Sequence, residues 1–570
     1  MAFQLSPGVN VSEIDLTTIV PAVGTSEGAF AGDFVWGPAN TVVTVSNEIE
    51  LVERFGRPTN NTFASFYTAA NFLAYARNLK VVRAVDPGTV VNATSGVSAL
   101  LIANQDEYNL NHADLPSANT YGLFAARFPG ELGNTLKVSM FSDSGNSANF
   151  AAWSYSAEFE GMPSTSTFVS GVNGANDELH IIVLDEDGKF TGIANTVLEK
   201  FSYLSKASDA KTDDGSSNYY ANVINDRSKY IYIMNHANNQ WGLAAAGRTF
   251  LKADAFYSSN ANTGISTASL TNGVSSIPTD SDIIKAYDKF ANPEEIDVSL
   301  VMAGPHSQTV AEHIVDNIAE TRKDCVAFIS PERSDVVNND GDEVTHITSF
   351  RNQFNSSSYA VMDSGWKYQF DKYNNVYRWV PLNGDIAGLC VRTDFERDPW
   401  FSPAGFNRGQ IKNVVKLAWN PTKAERDDLY KTGVNPVVAF PGEGVVLYGD
   451  KTLLARPSAF DRINVRRLFI VLEKAIARAA RYSLFEFNDE FTRAQFVALV
   501  EPFLRDVQGR RGIFDFRVVC DDTNNTPEII DRNEFVGDIY IKPARSINFI
   551  QLNFVAVRTG VAFDEIVGRF

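Results

Sequence analysis

Cysteine is scarce in this sequence, whose 570 residues include only Cys325, Cys390 and Cys520. The three lie too far apart for a Cys-x-x-Cys motif and are too few to cross-link a chain of this length, which excludes a disulfide scaffold and favours a reducing compartment. Long apolar runs are also missing, since none approaches the ~20 residues of a membrane-spanning helix. The first residues lack the basic and apolar regions of a signal peptide. We therefore expect no membrane insertion.

Positive charge is in short supply. Lysine and arginine total 50 against 68 aspartates and glutamates, which gives a formal net charge of −18. Binding to nucleic acid needs cationic surface against the phosphates, so we expect no direct contact with nucleic acid. The excess of negative charge favours solubility and keeps free copies of the chain apart.

Catalytic motifs are weak. Residues 24–28 match the G-x-S-x-G string of serine hydrolases, which needs a strand before the serine and a helix after it. A strand-like run follows here, so we interpret the string as a strand start; an α/β hydrolase remains an alternative that requires Ser26 on such a turn. His306 and His313 lack the partners of a zinc site, and residues 338–341 lack the flanking ligands of a calcium loop. We predict no enzyme, no catalytic residue, no cofactor and no metal.

The composition of the chain changes several times along its length. At roughly 150 residues per domain the length indicates three or four domains. The fold class that we predict is multidomain, α/β and α+β, with an α/β core, an α+β C-terminal domain, a mainly β insertion of one or two lobes, and extended terminal arms. The predicted segments are an N-terminal arm at 1–20, the first part of the core at 21–88, the insertion at 89–267, the second part of the core at 268–450, the C-terminal domain at 451–550 and a C-terminal arm at 551–570.

Local patterns predict several elements. Residues 296–330 alternate strand, helix and strand, which indicates parallel strands with a crossover helix. Residues 8–16 and 547–557 are predicted as strands in the two arms, with Pro7 placing the first at a sheet edge. Near the C-terminus, Asn464 is predicted to cap a helix over 465–483. Further on, Thr492 and Gln495 form a predicted capping box and Pro502 a kink or break.

The predicted helix over 465–483 departs from the acidic average. Four of its cations are spaced 7, 4 and 3 residues apart, which places them on one helical face: Arg467, Lys474, Arg478 and Arg481. One interpretation is a solvated face rich in arginine. The other is an electrostatic docking face for an acidic partner surface.

Four segments together are typical of one family: residues 5–9, residues 28–38 with 51–56 and 70–85, residues 400–409, and the block 466–565. Because these segments occur in this order and at this spacing, the sequence resembles the tail sheath proteins of contractile-tailed, myovirus-type bacteriophages. The resemblance implies a structural protein that forms hexameric rings, stacked helically around a tail tube. Contraction of that stack would drive the tube through the host envelope for genome delivery, without catalysis or nucleotide.

The resemblance also implies partners, a location and roles for residues. The expected partners are further copies of the chain, the tail tube protein, the baseplate and the tail terminator or neck proteins. The expected location is the virion tail, after synthesis in the host cytoplasm. Arg467, Lys474, Arg478 and Arg481 are expected to face the tube.

The two predicted arm strands could pair with neighbouring subunits by strand addition, because an exposed strand is a template for another chain. The apolar residues expected to anchor them are Val9, Val11, Ile550, Leu552 and Phe554. Alternatives that remain are the sheath of a phage-like injection particle or secretion system, and a monomeric adhesin or carbohydrate-binding module whose binding face is the insertion.

Overall fold

A computed structural model describes residues 24–115, 120–257, 262–339, 341–548 and 550–551. The chain begins with strands and helices of the main sheet. In chain order these are β1 (Gly28–Gly32), β2 (Val42–Val45), α1 (Glu48–Phe55), α2 (Phe63–Leu73) and β3 (Leu79–Arg83). Because β1 starts immediately after Ser26 and Glu27, the helix that a nucleophile turn requires is missing, and the hydrolase alternative fails on this point.

The insertion contains six strands and four short helices among the described residues. They are α3 (Gln105–Asn111), β4 (Phe124–Ala126), β5 (Leu136–Phe141), α4 (Ser147–Ala152), α5 (Thr167–Gly171), β6 (Glu178–Asp185), β7 (Thr196–Ser205), α6 (Tyr220–Arg227), β8 (Ile231–Ile233) and β9 (Ile265–Ser269), with 3₁₀ turns at Glu131–Thr135 and Ser156–Glu158. An antiparallel sheet in the order β7-β6-β5-β9 and the pair β4-β8 enclose their own apolar core.

The second part of the core completes the main sheet. It consists of α7 (Asp280–Tyr287), β10 (Leu300–Met302), α8 (Gln308–His313), α9 (Glu320–Arg322), β11 (Val326–Ile329), α10 (Arg333–Val336), α11 (Glu343–Arg351), β12 (Ala360–Asp363), β13 (Trp366–Asp371), β14 (Val376–Pro381), α12 (Asn383–Glu396), β15 (Lys416–Leu417), α13 (Lys423–Thr432), β16 (Val434–Asn435), β17 (Val437–Phe440) and β18 (Gly444–Leu447). A 3₁₀ turn, Asp288–Phe290, follows α7, and a π-helical segment, Ile314–Ala319, joins α8 to α9.

The main sheet has seven strands in the order β16-β12-β11-β10-β1-β3-β2. All neighbours are parallel except β2 and β3. The parallel pairing of β10 with β11 confirms the crossover predicted for residues 296–330. Parallel strands need both faces covered, and the strands are accordingly buried among helices such as α2 and α12.

The insertion leaves and rejoins the core through a paired neck. Val91 and Val274 exchange two backbone hydrogen bonds of 3.2 Å, one in each direction. Arg83, at the end of β3, adds a second link: its guanidinium donates to the carbonyl oxygens of Phe34 and Gly37 in the core and of Pro129 in the insertion, each at 2.8 Å. The two ends of the insertion therefore lie side by side.

The C-terminal domain packs two long helices against a hairpin. Its elements are a 3₁₀ turn at Ala459–Asp461, α14 (Ile463–Ala480), a 3₁₀ turn at Arg481–Ser483, α15 (Glu490–Gly509), β19 (Ile513–Val519), α16 (Pro527–Asp531) and β20 (Asp538–Pro543). Its apolar cluster joins α14, α15 and the hairpin with Trp400 of the core.

Three predictions about these helices are wrong in detail. Asn464 lies inside α14, where its side chain donates to the carbonyl oxygens of Trp400 and Ala544 instead of capping. The cap of α15 is Asp489, whose carboxylate accepts from the amide of Thr492 at 2.8 Å, so the predicted capping box does not form. Pro502 does not break α15, which continues through it to Gly509. Among the described residues, no helix is both long and apolar enough to cross a membrane.

Candidate assembly surfaces of the C-terminal domain

The basic face of α14 lies against the acidic side of the core. Arg467 is 4% exposed and forms a two-pronged ion pair with Asp394 of α12, with nitrogen–oxygen distances of 2.6 and 2.8 Å. Burial raises the pKa of Asp394, and the guanidinium of Arg467 acts against that rise. The pair joins the C-terminal domain to the helix that covers the main sheet.

The next cations along this face contact a second carboxylate. The Nζ of Lys474 lies 2.8 Å from Asp297 and 3.6 Å from Asp324, and also donates to the carbonyl oxygen of Val298 at 2.8 Å. Arg478 reaches Asp297 at 3.4 Å. Arg467, Lys474 and Arg478 therefore share the face of α14 that meets the core, as predicted, whereas the fourth cation, Arg481, lies beyond the end of α14. The acidic surface they meet in this structure is the chain's own core, so Arg467, Lys474 and Arg478 are already engaged. Their predicted contact with a tube stays a prediction.

Arg481 differs from the other three because it is exposed, at the point where α14 ends. The segment that follows, up to the first turn of α15, carries several large exposed apolar side chains. We call this set the aromatic loop: Tyr482, Leu484, Phe485, Phe487 and Phe491. Phe485 adopts a positive φ of 71°, a strained backbone conformation for a bulky residue. An exposed apolar patch of this kind marks an interaction surface.

The hairpin of β19 and β20 is a two-stranded sheet with an open edge on each side. Neither strand has a second partner among the described residues. One face packs on α15, yet its apolar residues remain only half-buried: Phe516, Val518, Ile539 and Ile541. An isolated hairpin is marginal in water, and two free edges are templates for further strands. The hairpin therefore offers two free strand edges to which further strands could pair.

After β20 the chain turns back to the core. Ser546 donates to Asp450 at 2.7 Å, and Asn548 donates to Asp450 at 3.1 Å and to Tyr430 at 3.2 Å. Ile550 follows and is 78% exposed. Residues 547, 548, 550 and 551 form no strand in the structure. The other four predicted arm residues, Val9, Val11, Leu552 and Phe554, lie outside the described residues.

A feature that sequence reasoning missed is a cleft between the C-terminal ends of α12 and α15. We call it the arginine cleft; its volume is about 430 Å³ and it is lined by Arg397, Asp398, Phe401, Arg408 and residues 509–511. The adjacent arginines at 510 and 511 were the available signal in the sequence. Their convergence with Arg397 depends on the packing of helices about a hundred residues apart, which the sequence alone does not reveal.

The described part of the chain holds no cluster of three or more His, Cys, Asp or Glu side chains placed to bind a metal. The three cysteines are buried and free. Burial raises the pKa of the Cys325 and Cys390 thiols to about 12, which makes both poor nucleophiles.

Three family models match the chain. The phage tail sheath protein central domain matches residues 278–453, the phage tail sheath C-terminal domain residues 455–556, and the tail sheath protein Gp18 domain III N-terminal region residues 29–84. The tail sheath proteins of Vibrio phage KVP40 and Enterobacteria phage T4 are each 36% identical, with 99% of this chain aligned to 100% and 99% of theirs. The tail sheath protein of Salmonella phage ViI is 31% identical over 99% of this chain and 98% of its own.

Solved structures share the fold. The sheath tail protein Lin1278 from Listeria innocua superposes with a TM-score of 0.52 at 11% identity, over 93% of this chain and 97% of the other. The anti-feeding prophage helical sheath in its contracted state gives a TM-score of 0.50 at 12% identity, over 97% and 99%. The sequence resemblance noted at the outset is confirmed at the level of whole chains: this chain belongs to the phage tail sheath protein family.

Proposed function

We propose that this chain is the structural subunit of a contractile phage tail sheath, which polymerises as stacked hexameric rings around a tail tube and contracts to drive the tube through the host envelope. The observation that carries the proposal is the hairpin β19–β20, a two-stranded sheet with two open edges, in a chain whose sequence predicts two terminal arms. Each edge accepts one arm from a neighbouring copy, so every subunit gives two strands and receives two.

The links would be backbone hydrogen bonds reinforced by apolar anchors, Val9 and Val11 in one arm and Ile550, Leu552 and Phe554 in the other. Such links can persist while the compact domains rotate and exchange one docking surface for another. Two alternative packings of the same subunits make the assembly bistable, which is the physical requirement for contraction. No catalytic step is needed, because the stored energy resides in contacts between subunits.

The tube contact is assigned to the end of α14. Arg467, Lys474 and Arg478 would meet the tube only by exchanging their internal carboxylate partners. Arg481 and the aromatic loop need no such exchange, since they are exposed. We therefore favour Arg481 and the loop as the part of the surface that faces the tube. The baseplate and the tail terminator or neck proteins complete the set of partners, and the assembled location is the virion tail.

Electron microscopy of the purified full chain in negative stain tests the proposal. We expect hollow, striated cylinders. Removing residues 1–16 or residues 551–570 should leave folded monomers that no longer assemble, whereas removing residues 1–4 alone should have little effect. A full chain that remains monomeric at high concentration would contradict the proposal. Cylinder formation by both truncated chains would contradict it as well. A persistent monomer would instead favour the adhesin alternative.

The tube assignment has its own test. Replacing Phe485 and Phe487 by Ser should leave the unfolding midpoint unchanged, because both side chains are exposed, but should lower co-sedimentation of the chain with polymerised tail tube protein at least tenfold. Phe256→Ser, at an exposed phenylalanine of the insertion, is the matched control. Equal co-sedimentation of the loop variant and the control would remove the aromatic loop from the tube contact.

A further inference from the structure

The arginine cleft carries more positive charge than its own carboxylates balance. Arg510 pairs with Asp398, and Arg408 donates its Nε to the carbonyl oxygen of Ser402 at 3.0 Å. Arg397 and Arg511 are exposed and form no ion pair with any described residue. In a chain of net charge −18 this local excess of cations is exceptional.

The ends of two helices stabilise the cations of the cleft. The cleft lies where α12 and α15 end, and the C-terminus of a helix carries a partial negative charge that stabilises nearby cations. That compensation is incomplete: burial, and after it the charge of Arg397, lowers the pKa of Arg408, with Glu396 acting in the opposite direction. An incoming anionic group would relieve the remaining repulsion.

The cleft lies at the end of the hairpin where β19 begins. Arg511, which lines the cleft, stands two positions before Ile513, the first residue of β19. The carbonyl of Gly512 between them accepts a hydrogen bond from the amide of Ala544, just after β20. A strand added along β19 would therefore run past the end of the sheet at this cleft. Since β19 leads away from the cleft, a strand whose later residues enter the cleft must lie antiparallel to β19.

The N-terminal arm has the matching charge pattern. Glu13 and Asp15 carry the only ionisable side chains among residues 1–23. In an extended chain they point to the same side, about 7 Å apart. The apolar positions change side between Val11 and Ile14, which indicates that regular strand pairing ends there. Residues 13–16 would then lie beyond the sheet, with two carboxylates on one side and Ile14 and Leu16 on the other.

We propose that the arginine cleft binds the carboxylates of Glu13 and Asp15 from the N-terminal arm of a second copy of this chain. Arg397 and Arg511 bind the carboxylates. The charge pair fixes the register of the added strand, because a one-residue slip would turn both carboxylates away from the cleft. The inference rests on the proposed assembly through arms and adds the site, the direction and the residues of one link.

Charge reversal tests the site. The variant R397E/R511E and the arm variant E13R/D15R should each raise the concentration needed for cylinder formation at least tenfold, with unchanged unfolding midpoints. The control R77E/R333E, at two exposed arginines of the core, should shift it less than threefold. The chain that carries all four reversals should assemble within about threefold of the wild type, because the charges match again.

Mixing separates binding between copies from binding within one copy. In a one-to-one mixture of R397E/R511E with E13R/D15R, each arm finds a cleft of opposite charge only on the other variant. We expect the mixture to assemble, although each component alone does not. Failure of the mixture alongside rescue in the fourfold variant would place the arm in its own cleft and overturn the proposal. If the wild type assembles and R397E/R511E assembles equally well, the proposed binding of the arm in the cleft is overturned but the proposed function stands. If the wild type does not assemble, the proposed function itself is refuted.

Discussion

At the scale of single residues, Arg83 illustrates how one buried side chain joins two parts of the chain. Arg83 is 2% exposed, and its guanidinium donates hydrogen bonds to three backbone carbonyl oxygens. One of these, the carbonyl of Pro129, belongs to the insertion. Buried carbonyl groups that lose their donor retain the cost of their desolvation. The residue therefore acts as a structural brace.

The first prediction is that Arg83→Met lowers the free energy of unfolding by about 3–5 kcal/mol, because methionine fills the space but supplies no donor. Arg77→Met, at an exposed arginine two residues before β3 begins, should change it by less than about 0.5 kcal/mol. Chemical denaturation followed by tryptophan fluorescence measures both. Equal midpoints for the two variants would show that the bonds to the three carbonyls contribute nothing net.

The second prediction concerns the half-buried His306, whose ring lies against Phe30 and Tyr287 and bonds through Nε2 to the carbonyl oxygen of Ala31 at 2.8 Å. Burial lowers its pKa from 6.5 to about 4, against the weaker opposing effects of that bond and of Asp280. Between pH 6.5 and 4 the unfolded chain binds the proton and the folded chain does not, so stability falls as the pH falls.

Comparison with His306→Gln isolates this contribution from the carboxylates that titrate in the same range. From pH 7 to pH 4.5 the wild type should lose about 2–3 kcal/mol more than the variant. Urea denaturation at the two pH values measures the difference. Parallel losses in both proteins would mean that the imidazole titrates as freely when folded as when unfolded.

At the scale of elements, patterns close together in the chain predicted the structure well. The helical spacing in α14 and the β10–β11 crossover follow from local periodicity. The cap of α15 at Asp489 is a local contact that the predicted capping box missed. Other contacts that the sequence did not reveal depend on distant partners. Asn464 serves Trp400, 64 residues away, instead of its own helix, and Arg467 finds Asp394, 73 residues away.

The candidate site divides in the same way. Its cationic face was visible as a spacing, whereas the open edges of β19–β20 and the arginine cleft exist only once strands and helices have packed. Neither the pairing of a strand nor the absence of a pair is encoded in the strand's own residues. Sequence reasoning therefore predicted the arms and missed the surfaces that would receive them.

A third prediction concerns α15, which contains Pro502 at an exposed position. Proline in a helix interior lacks an amide donor and crowds the preceding turn, at a cost of about 3 kcal/mol relative to alanine. Pro502→Ala should raise the stability of the C-terminal domain by about 1–3 kcal/mol, and the neighbouring Glu501→Ala should leave it within about 0.5 kcal/mol. Calorimetry of the full chain measures both. A lower melting temperature for Pro502→Ala would mean that Pro502 contributes more to packing than it costs the helix.

At the scale of the whole molecule, the paired neck makes the insertion separable from the core. Val91 and Val274 already lie opposite each other, so a two-residue Asn-Gly turn can replace residues 92–273. Trp36, which packs on Phe128 and Phe190 of the insertion, must become Ser to avoid an exposed ring.

The fourth prediction is that this shortened chain folds and still forms cylinders, because neither the hairpin β19–β20 nor the arms are removed. Electron microscopy and circular dichroism check the two parts separately. If the shortened chain folds but does not assemble, the insertion takes part in contacts between copies. The full chain with Trp36→Ser alone serves as the control.

The attachment of residues 546–548 to Asp450 and Tyr430 has a mechanical consequence. Tension applied to the residues that follow would first reach these side chains on the core, before it could unzip β20 from its end. The hairpin is thereby shielded from the pull that its own chain transmits. Load passes instead into the large main sheet, whose strands are better able to bear it than a lone pair of strands on the periphery.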